Sequence, residues 1–261
     1  MVSPARRALI IAVAIIALAA IIYGGYRVIR RLMRPPEVLA PTGELRVGID
    51  VSFAPFGMLE EEAFSGIDVE IARALGGYFN LPVRIIPLGY DGLYDALQTD
   101  QVDMLISALV PNPSRMDRVR YSAPYFNAGL MLISPMGAGI RRMDDIAGKT
   151  LAIALGSDAQ TEANRWERRI PAFEVRPYET NSIALDAVRL GEADAALIDH
   201  AAASLYLRDH PEWAARIDEV TVLPYAIASR IERTRLGDEI QRALEAMQAD
   251  GTLAVIFARY L

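Results

Sequence analysis

Two stretches of the chain repeat one pattern of charged and apolar residues. Residues 94–107 read YDALQTDQVDMLIS and residues 185–199 read LDAVRLGEADAALID. Each has an Asp-Ala pair (Asp95-Ala96 and Asp186-Ala187), then a second aspartate eight positions later (Asp103 and Asp194). That aspartate opens a short apolar run that ends on a polar side chain, Ser107 in the first copy and Asp199 in the second. A hydroxyl and a carboxylate can hold a polar ligand by hydrogen bonds and ion pairing. Covalent and metal chemistry is thinly supplied by comparison. There is no cysteine, which excludes disulfides, thiolate metal sites and cysteine nucleophiles. The two histidines, His200 and His210, stand in neither an HExxH nor a His-x-His arrangement, so neither a metal site nor a histidine-based triad is supported, and no cofactor is implied.

The elements that position these residues follow an alternating grammar. LRVGI (45–49) is a short β-branched run that predicts a buried strand, followed by the loop DVSFAPFG. Apolar residues at Ile67, Ile71, Ala74, Leu75 and Tyr78 predict an amphipathic helix that Asn80 and Pro82 stop. VRIIPL (83–88) predicts a strand, and the first repeat comes next as a helix feeding the strand MLIS. The second half runs the same way: strand TLAIAL (150–155), a helix from about Gln160, strand FEVRPY (173–178), then the second repeat. Strands alternating with helices predict parallel sheets covered on both faces, here two similar α/β lobes. Ligands of parallel sheets bind beyond the carboxyl ends of the strands, where Ser107 and Asp199 would stand, one from each lobe. PYAIASR (224–230) reads as one more strand. Two closing helices bury Leu236, Ile240, Leu244 and Met247, then Leu253, Ile256, Phe257 and Tyr260, as a return to the first lobe would require.

Ahead of these elements lie nineteen uncharged residues, Ala8 to Tyr26, with arginines on both sides. At about 1.5 Å per residue this is membrane length. Residues 1–34 therefore read as a signal anchor or transmembrane helix, with cleavage after Ala17-Leu18-Ala19 disfavoured by the apolar Ile21 and Ile22 beyond it. The four arginines after the span oppose export of the domain that they precede. Residues 35–43, PPEVLAPTG, read as a stiff linker. Six arginines and one acid precede Pro41, which leaves 21 basic against 32 acidic residues and a charge of −11 for the remainder. Such a domain has no attraction for phosphate backbones, so nucleic acid is not an expected partner.

From Leu45 to Leu261 the sequence resembles the bacterial extracellular solute-binding proteins of family 3, the periplasmic components of ABC importers for polar amino acids. The resemblance rests on LRVGIDVSFAPFG, GIDVEIARAL, VDMLISALVPNPSR, VRYSAPYFNAGLMLI, GEADAALIDHAAA and ALEAMQADGTLAVIFARYL, in the family's order. It implies a type II periplasmic-binding-protein fold, two α/β lobes joined by a two-strand hinge and preceded here by the N-terminal transmembrane helix. Residues 44–126 and 225–261 would form lobe 1, and 127–224 lobe 2. By the same resemblance Arg115 grips a ligand α-carboxylate and Asp199 receives the α-ammonium. Phe53 and Tyr90 hold the ligand side chain, and Asp50 meets a distal cation. Ser107 supplies a hydroxyl, and Ser157 and Asp158 form a second carboxylate-receiving loop at a helix N-terminus. Each has an ordinary alternative as surface, core, turn or capping residue. Ala108 and Val110 depart from the Ser, Gly or Thr common in the family, so side-chain donors or small-residue contacts are missing there while backbone N–H groups can remain, which implies a less polar pocket.

The expected function is capture of a polar amino acid by a non-enzymatic, extracytoplasmic protein, tethered to the cytoplasmic membrane or exported after cleavage, for an ABC permease partner. The competing readings are an exported enzyme on the same fold, such as a dehydratase using Asp50 or Asp158, and a ligand-sensing module.

Overall fold

Hydrophobic alternation along Leu45–Ile49 sets the first sheet. Leu45, Val47 and Ile49 are fully buried on one face, and each such side chain contributes roughly 1.5–3 kcal/mol by leaving water. On the other face Gly48 lets Leu105 and Leu88 approach, since a Cβ there would lie 2.8 Å from the Leu105 side chain. The computed structural model describes Tyr23, Gly25, residues 37–170 and residues 172–261. Residues 39–261 form one compact unit; residues 1–38 form another, and the apolar stretch 8–26 lies outside the described residues apart from Tyr23 and Gly25. Among the described residues no helix is long and apolar enough to cross a membrane.

In chain order the elements are β1 (Leu45–Ile49), the hairpin of β2 (Met58–Glu60) and β3 (Ala63–Ser65), α1 (Ile67–Phe79), β4 (Val83–Pro87), α2 (Leu93–Gln98), β5 (Met104–Leu105), β6 (Val119–Tyr121), β7 (Phe126–Asn127) and β8 (Leu130–Pro135). The chain continues with β9 (Thr150–Ala154), α3 (Asp158–Trp166), β10 (Glu174–Tyr178), α4 (Asn181–Arg189), β11 (Ala195–Asp199), α5 (His200–Asp209) and β12 (Ala215–Glu219). It closes with β13 (Pro224–Tyr225), β14 (Ala228–Arg230), α6 (Thr234–Ala249) and α7 (Thr252–Tyr260).

Two five-stranded sheets result, ordered β4-β1-β5-β14-β6 and β10-β9-β11-β8-β12. The β4-β1-β5 and β10-β9-β11 portions are parallel, as strand–helix alternation predicts. The remaining strands are antiparallel: β14 against β5 and β6, and β8 against β11 and β12. The reason is connectivity, because β8 and β14 each enter a sheet directly from a crossing segment instead of returning over a helix. PYAIASR accordingly divides into two strands, with Pro224-Tyr225 paired to Asn127-Phe126 in a two-stranded ribbon and Ala228–Arg230 in the first sheet. Helices α6 and α7 return to the first sheet and pack Leu236, Ile240, Leu244, Met247, Leu253 and Ile256 into the core around α1.

The ribbon β7·β13 is the crossing between the sheets. Tyr125 N–H donates to Tyr225 O (2.9 Å) and Ala128 N–H to Leu223 O (2.8 Å). The Asn127 side chain bolts it to the second sheet. Its Oδ1 accepts from the N–H groups of Gly129 (2.9 Å) and Leu223 (2.8 Å), and its Nδ2 donates to Glu219 (2.7 Å). Gly129 is obligatory there, because a Cβ would stand 1.8 Å from Thr221 O.

The repeat has one structural meaning in both lobes. Asp103 Oδ2 accepts from Arg46 N–H (2.9 Å) while Asp103 N–H donates to Arg46 O (2.8 Å). Asp194 Oδ2 accepts from Thr150 N–H (2.8 Å) while Asp194 N–H donates to Thr150 O (2.9 Å). In both lobes the preceding helix ends three residues earlier on a left-handed residue, Asp100 (φ 64°) or Gly191 (φ 79°).

Candidate functional site: a cavity between the sheets

Asp199 ends β11 and starts α5, so one residue closes a strand and caps a helix. Its Oδ1 accepts from Ala202 N–H (2.9 Å) and its Oδ2 from Asn181 Nδ2 (2.8 Å). The carboxylate is thereby fixed in direction while each oxygen retains acceptor capacity. It opens on a cavity of about 600 Å³. It is lined by the loop Phe53–Phe56, by the first two turns of α3, and by residues 128–130 and 221–223 beside the ribbon.

Helix α3 begins at this cavity because Ser157 caps it, accepting from Gln160 N–H (3.3 Å). The Ser157 hydroxyl itself donates to Ala154 O (2.6 Å), and Gln160 Oε1 accepts from Gly156 N–H (2.7 Å). Asp158 is the first helical residue. One turn on, Glu162 also lines the cavity, its side chain 13% exposed and paired with Arg165 at 2.8 Å. Phe53 also lines the cavity, 48% exposed and stacked on Phe56 at 5.8 Å. Phe56 in turn meets Phe126 and Tyr225 of the ribbon edge-on at 5.3 and 5.1 Å. The acids Asp158, Glu162 and Asp199 against the single Arg165 make this a cavity suited to cationic groups.

Of the residues singled out in the sequence, Phe53, Ser157, Asp158 and Asp199 line the cavity, and the other four do not. The Arg115 guanidinium lies over the Tyr94 ring at 4.1 Å, in a separate depression of about 270 Å³. Asp50 Oδ1 accepts from Ser52 N–H (2.9 Å) and Ser52 Oγ (2.6 Å), a side-chain turn after the strand. Ser107 is buried, 4% exposed, and its Oγ accepts from Asp50 N–H (2.9 Å). Tyr90 is exposed at the start of a 3₁₀ turn.

At Ala108 the backbone donor is already engaged. The Ala108 N–H is not a free donor for a ligand, because it is shared between Asp68 Oδ2 (2.9 Å) and Tyr125 Oη (3.1 Å). Burial pushes the Asp68 carboxyl up to about 7, against the opposing pull of its hydrogen bonds from Tyr125 and Ala108. Sequence reasoning also missed Asn181 and Glu162. The helix-start pair Thr180-Asn181 and the Asp158/Glu162 spacing of one helical turn were the signals available.

The profile of the family described as bacterial extracellular solute-binding proteins, family 3, matches residues 45–261. The chain belongs to this family. Among its relatives, the arginine-binding extracellular protein ArtP of Bacillus subtilis is 27% identical over 80% of this chain and 83% of its own length. The L-cystine-binding protein TcyJ of Escherichia coli K12 is 25% identical over 84% of this chain and 82% of its own length. Among solved structures, the L-cystine solute receptor of Neisseria gonorrhoeae in its unliganded open conformation shares the two-lobed fold. Its TM-score is 0.72 at 21% identity, covering 85% of this chain and 94% of that one. This chain is thus a family 3 extracellular solute-binding protein with the type II periplasmic-binding-protein fold.

Proposed function

We propose that the chain captures a polar amino acid with a cationic side chain in the 600 Å³ cavity and presents its closed form to an ABC permease. The observation that carries this reading is Asp199, a carboxylate aimed by Ala202 and Asn181 at the cavity wall. It receives the ligand α-ammonium. The N-terminal turn of α3, with Ser157 and Asp158, offers backbone N–H groups to the α-carboxylate. Asp158 and Glu162 suit a distal cation, Phe53 supplies the apolar face for the side-chain stem, and the arginine-binding relative supports that choice.

Closure completes the site. Arg115 swings from the Tyr94 ring to the carboxylate, which its planar fork matches in a bidentate contact. Because Asp199 and Arg115 stand on different lobes, a zwitterion joined to both holds the lobes together. We read the activity as binding without turnover; Asp50, one candidate general acid or base, stands outside the cavity lining. The stretch 8–26 serves as a membrane tether, on the strength of its length, apolarity and arginine flanks.

Calorimetric titration of the full chain with each of the twenty amino acids and with cystine tests the reading. Heat on adding arginine or lysine is expected, and loss of that heat in Arg115→Ala. A folded protein giving no heat with any of them would sink it. Resistance of the chain to carbonate extraction from membranes tests the tether.

A further inference from the structure

Asp68 is a fully buried carboxylate near the start of α1, 1% exposed, and it touches three segments at once. Its backbone N–H donates to Phe56 O (2.9 Å), as Ile67 N–H does to Pro55 O (3.0 Å), which fastens the cavity wall Phe53–Phe56 to the helix. Its Oδ2 accepts the N–H of Ala108, which directly follows Ser107 in the turn after β5. Its Oδ1 accepts the hydroxyl of Tyr125 (2.7 Å), one residue before the ribbon strand β7. Ala108 sits at φ 47°, a left-handed conformation that alanine rarely adopts unless it is held there. Its forked hydrogen bond to Asp68 and Tyr125 is what holds it.

We propose that Asp68 is a positioning residue for ligand capture: its ionised carboxylate sets the Ser107–Ala108 turn and locks that turn and the Phe53–Phe56 wall to the ribbon between the lobes. The proposal rests on the cleft being the amino-acid site. A helix start needs no buried carboxylate, since a neutral residue would cap it without the cost of desolvating a charge. Two oxygens that both accept are what this place requires, and only the ionised form supplies them without a competing O–H. A charged acceptor also binds an N–H roughly twice as strongly as a neutral one.

The surroundings keep the group close to its switching point. Burial raises the carboxyl to about 7, with the Tyr125 and Ala108 hydrogen bonds pulling the other way. Facing it are Tyr125, held well above the ordinary tyrosine range, and Tyr225, pushed to about 12, so both stay neutral where Asp68 changes charge. On α1 the nearby Glu70 is paired with Arg73 (2.9 Å), and on the α7 side with Arg259 (2.9 Å). The turn after β5 brings no titratable side chain at Ser107 or Ala108. Proton uptake by Asp68 therefore weakens its hold on Ala108 and lowers affinity for the ligand.

Two readouts on the full chain test this, one of them independent of ligand. In ¹⁵N-labelled protein the Ala108 amide resonance is expected to titrate across neutral pH with a midpoint of about 7. Asp68→Asn should abolish that titration. Tyr125→Phe should raise the midpoint, because it removes a hydrogen bond to the ionised form. Arginine affinity, and cystine affinity if arginine gives no heat, should be about tenfold weaker at about pH 6 than at about pH 8, the two sides of that midpoint. In Asp68→Asn it should stay at the acidic value throughout. An Ala108 amide that does not move, a midpoint lowered in Tyr125→Phe, or full alkaline affinity in folded Asp68→Asn overturns the proposal. If neither probe binds the wild type at either pH, the amino-acid reading fails, and the Ala108 titration alone decides whether Asp68 sets the turn.

Discussion

Asp103 and Asp194 make the same pair of backbone hydrogen bonds in two different sheets, each accepting from and donating to a residue of the strand that begins its lobe's parallel portion. They stand ninety-one positions apart in the chain. The likeness ends at their surroundings. The Asp103 side chain is fully buried and meets two guanidinium groups, Arg46 at 3.0 Å and Arg233 at 3.4 Å, whereas Asp194 is 44% exposed with Lys149 at 4.0 Å.

That difference predicts unequal costs. Asp103→Ala removes the buried carboxylate that these two guanidinium groups share and should destabilise by about 3–5 kcal/mol. Asp194→Ala loses a charge-assisted backbone bond in contact with water and should cost about 1–2 kcal/mol. Urea unfolding of the two variants measures both, and equal costs would show that the Arg46–Arg233 surroundings contribute nothing.

Asp199→Asn separates capping from charge. Asparagine caps a helix about as well as aspartate, so the melting temperature should hardly move. A ligand ammonium would lose its charged partner, and affinity should fall by about a hundredfold, the range expected on truncating one side of a buried charge pair. Calorimetry beside thermal melting reads the two effects separately.

Glu162→Gln keeps the shape of the α3 wall and removes one negative charge from the cavity. Arginine or lysine affinity should drop about tenfold relative to wild type, and the affinity of an uncharged amino acid such as glutamine should stay level. A uniform drop for charged and uncharged ligands would mean that Glu162 acts on the fold of α3 rather than on ligand choice.

Asp68 also leaves a mark on stability, of definite sign. Its folded value, about 7, lies above the ordinary 3.8 of a free aspartate. The folded chain therefore binds more protons than the unfolded chain between those values. The Asp68 contribution to stability is full below about pH 4 and is lost as pH rises through about 7. Asp68→Asn removes this loss, so its melting temperature relative to wild type should climb from about pH 5 to about pH 8. At roughly 1.4 kcal/mol per unit the swing is at most about 4 kcal/mol. A parallel pH dependence of the two proteins would show that Asp68 does not carry the buried charge.

The repeat was legible because it is a local pattern: a helix, a left-handed stop, an aspartate and a strand, each fixed by neighbours in sequence. Phe53, Ser157, Asp158 and Asp199 were legible for a related reason, since each closely follows a strand or starts a helix. Strand direction was not, because whether β8 or β14 runs parallel depends on where a crossing delivers the chain. The engagement of the Ala108 N–H was not legible on the same ground. Its partner Asp68 stands forty residues earlier, and nothing in VDMLISAL announces that contact. Glu162 reads as surface until α3 is seen to form a wall.

The ribbon β7·β13 is joined to the β8 and β14 strands by two residues each, Ala128-Gly129 and Ala226-Ile227. At about 3.5 Å per residue there is no slack to let one sheet slide along the other. Such short joints fix the spacing of the two sheets at the ribbon, like two pins set side by side on one door. Under the proposed function, the angle between the halves is what a bound solute would set and a transporter would read.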